Sequence, residues 1–319
     1  MNLLIYLLLM IMSIFSMYTP NLFLMWMFLE ISSMSFVIYL NINSIKIYSI
    51  LYFLISSISS ILIMFSILNL SYMLPLNYLL TFSLWMKLGM FPLNNWMNFM
   101  MKNINYMVLI PLLTIMKIIP MLIFIYFIKF NFYIMNILMI MTLPPIIFSF
   151  NTSSYPMLLN YSSMYNMPLM IIFSYFNMTL MMFYLIMYMT TTLYVMLMLN
   201  LSTVYYKNSL NLNISKNNFL NLLMFIYAQL PPFSTFIMKW NLINYTMKMN
   251  NNLILIMILL ILYSLMMTFN YLNFNNYNYY LNFMKINHKI NMKKKINYYS
   301  IFNLMFINFL MIFFYIFMD

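Results

Sequence analysis

A polytopic bundle of membrane helices is the fold class the sequence predicts, and three observations predict it. The 319 residues are 66% hydrophobic and 5% charged, with a mean hydropathy of +0.92, which is more apolar surface than a globular core of this size needs. The apolar runs are continuous and long enough to cross a bilayer at about 20 residues each. A membrane barrel would instead alternate in segments of about ten. No polar stretch of domain size interrupts the runs, so the chain reads as one all-α transmembrane domain over residues 1–319 with short connections.

Eleven spans follow, near 2–19, 21–41, 46–70, 74–92, 105–128, 132–150, 158–175, 178–200, 218–247, 251–272 and 298–318. The first lacks a basic flank and a small-residue cleavage pattern, so it reads as a retained helix and not a signal peptide. The lysines test the segmentation. With the N-terminus on the basic side, the even-numbered connections hold Lys46, Lys102, Lys207, Lys216, Lys285, Lys289, Lys293, Lys294 and Lys295, and the odd ones hold Lys129 and Lys248. Short inside loops are enriched in Lys and Arg, which puts the N-terminus inside and Asp319 on the opposite face. The Asn-, Tyr- and Lys-rich segment 271–299 reads as a solvated linker or an amphipathic piece at headgroup level.

Composition excludes several function classes. All 14 basic residues are Lys, and they are scattered without a basic stripe, so nucleic acid is not a partner. There is no Cys and a single His, His288, too few ligands for Fe–S clusters, haem or copper. Zinc spacings, phosphate loops and nucleophile triads are also missing, so no cofactor or metal is expected in this chain. One Gly, one Ala, no Arg and 43 Met point to a code short of G/C-rich codons in which ATA also reads as Met. That usage predicts an organelle-encoded inner-membrane protein, with an AT-rich bacterium as the alternative.

The lysines that no loop explains carry the chemistry. Lys117 lies in the middle of the apolar span 105–128. A lysine at a membrane helix centre costs about 2.5–3.5 kcal/mol on insertion scales, and such residues mark ion paths or proton relays. Pro120 follows three residues later and displaces the carbonyl of Met116, which predicts a broken or wetted helix beside the lysine. The alternative is a structural tether to a neighbouring carboxylate.

Lys87 stands before Gly89 and Pro92, a proline break next to the only glycine; the competing reading is snorkelling to the nearby face. Lys239 lies about two turns beyond Pro231 and Pro232, with interface anchoring beside Trp240 as its alternative. Glu30 is the only acid in the membrane region. In an apolar medium, a carboxylate and an ammonium sustain one another's charge, so a separable Lys–Glu pair is a switch; a static ion pair is the plainer reading. The small hydroxyls Ser56–Ser60, Ser162, Ser163 and Thr190–Thr192 read as packing groups.

Taken together, Trp26 with Glu30, Lys87-Leu-Gly-Met-Phe-Pro92 with Trp96, Thr114-Ile-Met-Lys117-Ile-Ile-Pro120, Asn160-Tyr-Ser-Ser163, and Leu230-Pro-Pro-Phe-Ser234 with Lys239-Trp240 occur in an ordered series. The series, over roughly residues 20–245, resembles the antiporter-like, proton-pumping membrane-arm subunits of respiratory complex I, in particular the subunit 2 family of mitochondrial NADH:ubiquinone oxidoreductase. The resemblance implies eleven helices, as animal members lack three N-terminal helices of the bacterial form. It also implies two discontinuous helices, at 89–92 and 231–232. Glu30 and Lys87 are then the charged pair, Lys117 the central proton carrier and Lys239 the exit-side residue. The implied setting is the mitochondrial inner membrane, with other membrane-arm subunits and lipids as partners, an N-terminus in the matrix and no existence as a free monomer. Three departures stand out: Met116 replaces a Gln, Asn94 and Asn95 replace a more aromatic or His-containing stretch, and basic residues before the Tyr-Ser-Ser motif are missing. The expected function is proton translocation coupled to quinone reduction in other subunits. The rivals are a stand-alone cation/proton antiporter and a structural helix bundle.

Overall fold

The computed structural model describes residues 2–43, 45–69, 75–127, 132–202, 223–230, 234–248 and 254–284. The helices are α1 (Asn2–Tyr18), α2 (Leu22–Ile42), α3 (Lys46–Leu68), α4 (Pro75–Leu88), α5 (Asn95–Asn103), α6 (Tyr106–Leu113), α7 (Ile115–Phe127), α8 (Phe132–Phe150), α9 (Tyr155–Phe176), α10 (Met178–Ser202), α11 (Ser234–Lys248) and α12 (Ile254–Met284). A short helical run covers 223–227, and no strand occurs among the described residues. Ten of the eleven sequence spans coincide with one of these helices or a pair; the span near 298–318 lies outside the described residues. Helix α12 continues past the expected end near 272 to Met284, because nothing between 254 and 284 is a Pro or Gly that would stop it.

The chain forms two compact units. One comprises Met1–Pro145 and Asn160–Tyr175, the other 146–159 and the described residues from Phe176 onward. In the first, α2 packs between α1 and α3, α3 also meets α4, and α7 touches α1, α2, α4 and α6. In the second, α11 packs on α10 and on α12.

Large apolar side chains cover much of the surface, and small hydroxyls are buried among the apolar core residues. Ser33, Ser59 and Ser66 are 0% exposed, whereas Leu4, Ile47 and Ile61 are 66%, 73% and 66% exposed. The serines of α3 recur at helical spacing on its buried face, Ser49, Ser56, Ser59, Ser60 and Ser66, where small side chains let helices approach closely. Each hydroxyl reaches a carbonyl of its own helix, as in Ser59 to Ser56 O at 2.9 Å and Ser60 to Ser57 O at 2.9 Å, with Ser49 also 2.6 Å from Asn41 Oδ1 of α2, and Thr190–Thr192 bond their helix in the same way. Among the described residues, four helical stretches, Leu22–Ile42, Lys46–Leu68, Tyr106–Tyr126 and Met178–Leu201, are long and apolar enough to cross a membrane.

Few polar bonds join the helices, so individual ones matter. Trp26 Nε1 on α2 donates to Ser60 O on α3 at 3.1 Å. Trp26→Phe keeps the ring and deletes this bond, at an expected cost of about 1 kcal/mol. A lower melting temperature of the purified protein with unchanged helical content is the measurement.

Candidate functional site

The interruption after α4 is built by its C-cap. Gly89 takes φ +66°, its N–H donates to Met86 O at 3.2 Å, and the Met90 N–H donates to Trp85 O at 3.1 Å. These are the two bonds of a Schellman motif, which ends a helix with one left-handed residue. Glycine is required here twice over, because a Cβ would sit 2.8 Å from Met97 Sδ and 3.2 Å from Trp96 Cζ2. Lys87 occupies the last turn of α4, and its Nζ is buried with no hydrogen-bond partner in the protein. Trp85 Nε1 and Trp96 Nε1 are also buried donors without partners. Three orphaned donors around one helix break fit a hydrated pocket, since buried polar groups without protein partners bond ordered water.

Glu30 on α2 lies within electrostatic reach of Lys87, with no hydrogen bond between them. Its carboxylate accepts a long bond from Ser33 Oγ at 3.5 Å. Tyr52 of α3 also lies within electrostatic reach of Glu30, and its ring centroid is 4.9 Å from Phe36 and 6.0 Å from Trp96. Nothing in the sequence around Tyr52 distinguishes it from the other 28 tyrosines.

Lys117 is 3% exposed. The helix runs through Pro120 without interruption, which corrects the expectation of a break there; prolines 111, 144, 145 and 168 are likewise carried inside helices. Membrane helices tolerate proline where neighbours re-satisfy the backbone. The interruption lies instead at Thr114, between α6 and α7, with φ −109° and ψ −86°. Thr114 bonds Ile110 O twice, through N–H at 3.1 Å and Oγ1 at 2.7 Å, and the Lys117 N–H turns to Thr114 O at 3.2 Å. The lysine therefore sits in the first turn of a new helix, where backbone polarity is concentrated.

Lys117 Nζ donates to Ser163 Oγ of α9 at 2.7 Å. Ser163 donates in turn to Asn160 O at 2.6 Å. The charged end is thus held by a neutral hydroxyl, and Glu30, the only acid among the described residues, acts on Lys87 and Tyr52 instead. The sequence context of Ser163 reads as packing, and the structure makes it the acceptor for Lys117. The signal available was its place in Tyr-Ser-Ser, three residues after Asn160.

Lys239 lies on α11 in the second unit, half-buried, beside Trp240, which is 54% exposed. The break ahead of it repeats the first. Gln229 takes φ 57°, its N–H donates to Ile226 O at 3.0 Å, and the Leu230 N–H reaches Phe225 O at 3.5 Å. This is again a Schellman arrangement, here with a side chain in the left-handed position, anchored by Gln229 Nε2 to Tyr184 OH at 3.0 Å. The break predicted at Pro231–Pro232 falls on residues outside the description; the helical run before them ends at Tyr227.

No protein-family model matches the chain. Its fold is similar to a chain of respiratory complex I from Thermus thermophilus with bound aureothin, at TM-score 0.69 and 17% identity, covering 81% of this chain and 66% of that one. It is also similar to a chain of the Mrp complex from Dietzia sp. DQ12-45-1b, at TM-score 0.72 and 13% identity over 85% of this chain and 59% of that one. A third likeness is to the membrane-bound sulfane sulfur reductase, an archaeal respiratory membrane complex, at TM-score 0.71 and 13% identity over 96% and 71%. The class is thereby defined: an all-α, multi-pass membrane protein with a fold shared by membrane chains of the complex I and Mrp assemblies. In sequence, 98 residues are 37% identical to NADH-ubiquinone oxidoreductase chain 2 of Artemia franciscana, the family its motifs resemble. That match spans 31% of this chain and 31% of the relative's length.

Proposed function

We propose that this chain is the subunit 2 type of antiporter-like membrane-arm subunit in mitochondrial NADH:ubiquinone oxidoreductase, moving protons across the inner membrane while NADH oxidation and ubiquinone reduction proceed in other subunits. The observation that carries the reading is Lys117, buried at a helix interruption and held by a single serine hydroxyl. A cation kept in an apolar interior with no counter-charge is poised to exchange its proton, because neither protonation state is locked by an ion pair. Glu30 and Lys87 form the separable pair that modulates it, Lys117 is the central carrier, and Lys239 is the outlet-side residue. The chain binds no cofactor and holds no redox centre; it works as one subunit among membrane-arm neighbours, in contact with lipid. Its N-terminus lies in the matrix and its C-terminus in the intermembrane space.

The likeness to the Mrp complex favours a second reading, a cation/proton antiporter outside complex I. Native-gel electrophoresis of mild detergent extracts separates the two. Co-migration of the chain with NADH-oxidising activity in one very large band is expected; a small band devoid of that activity would leave the antiporter.

A further inference from the structure

The proposed carrier Lys117 is connected to the interrupted helix through α9. Asn94, in the break, and Asn98, on α5, are four residues apart and so lie on one side; they face Asn160, Tyr161 and Met164 on α9. Asn160 Nδ2 donates to Asn98 Oδ1 at 2.7 Å, Asn98 Nδ2 reaches Tyr161 OH at 3.5 Å, and Asn94 Nδ2 reaches Met164 Sδ at 3.6 Å. Asn160 is completely buried, and its backbone carbonyl takes the one proton of the Ser163 hydroxyl. With that proton committed, the oxygen's lone pairs face Lys117. The Lys117 acceptor is therefore aimed by Asn160, and Asn160 is tied by its side chain to the helix that follows the Lys87 break.

We infer that the Asn98–Asn160 amide bridge is a latch by which the interrupted helix sets the position of the Ser163 acceptor, making Asn98 and Asn160 positioning residues for Lys117. A side-chain amide does not titrate, so the latch transmits position and not protons. Asn160 is enclosed and Asn98 half-buried, so cutting the bridge at Asn98 leaves the Asn160 amide unpaired where such groups are costly; Asn160 Oδ1 already lacks a hydrogen-bond partner. Motion of α5 away from α9 pulls on Asn160 and hence on the hydroxyl that holds the lysine. The inference rests on the carrier role proposed for Lys117, but its geometry can be tested separately.

The test uses the assembled complex with Asn98→Ala, Asn160→Ala and the double variant. Hydrogen–deuterium exchange of residues 89–98 is read alongside the number of protons moved per quinone reduced. Each single variant is expected to exchange roughly tenfold faster over this segment, equivalent to about 1.4 kcal/mol, and to move fewer protons per quinone at unchanged quinone turnover. The double variant is expected to be no worse than Asn98→Ala, as the Asn98–Asn160 bond is lost in all three and the contact to Tyr161 goes with Asn98, and Asn98→Asp, which keeps the acceptor oxygen, to restore the ratio. Should the alanine variants fail to assemble, Asn98→Leu/Asn160→Leu removes both polar groups at similar shape and is read in the same way. Unchanged exchange, or additive losses in the double variant, overturns the latch. Lys117→Met is assayed in parallel: if it keeps the full proton ratio, the carrier role falls, and the exchange result alone then decides the latch.

Discussion

Lys117→Met is expected to lower proton transfer through this subunit by at least about tenfold, a rise of about 1.4 kcal/mol or more in the barrier, without unfolding the chain. Met matches the unbranched reach of lysine, carries no charge and suits an apolar interior. Burial of the ammonium opposes folding, so its removal relieves a cost. The single hydrogen bond lost is Lys117 to Ser163, and the serine keeps its own bond to Asn160 O, so no buried donor is orphaned. The assay is proton uptake per quinone reduced, beside native-gel assembly. Normal assembly with a reduced ratio supports the carrier role, whereas an undiminished ratio sinks it.

Gly89→Ala is expected to act through the fold. The left-handed conformation costs a side-chain-bearing residue about 1–2 kcal/mol, and the new Cβ, 2.8 Å from Met97 Sδ and 3.2 Å from Met97 Cβ, adds overpacking of about 1–3 kcal/mol. The sum is a large part of a membrane protein's margin, so less assembled complex and a lower melting temperature are expected. Gly89→Val should be worse, since its β-branch has fewer rotamers to offer. Wild-type yield and melting behaviour in Gly89→Ala would show that the break adapts without the glycine.

Much of this was legible in the sequence because membrane helices are written in hydropathy and in rare residues. Ten of the spans could be placed that way, and Glu30, Lys87, Lys117 and Lys239 stood out because charge is scarce. The Gly89 break was legible because glycine and proline have backbone consequences of their own. What escaped depends on neighbours distant in sequence. Pro120 suggested a break that the packed helix absorbs, while Thr114 makes one through its own hydroxyl on Ile110 O. Ser163 and the Asn98–Asn160 bridge join residues 46 and 62 positions apart, and no local pattern records such pairs. Helix α5, polar and nine residues long, lay within a stretch assigned to a connection.

The two Schellman caps also bear on how this gene tolerates its own composition. With one glycine in the whole chain, the left-handed position at 229 is filled by a glutamine, its side chain bonded to Tyr184. At 89 the space is already filled by Met97 and Trp96. The same backbone turn is thus made in two ways: at 229 a side chain is accommodated by a partner, whereas at 89 the neighbours leave the Cβ no room.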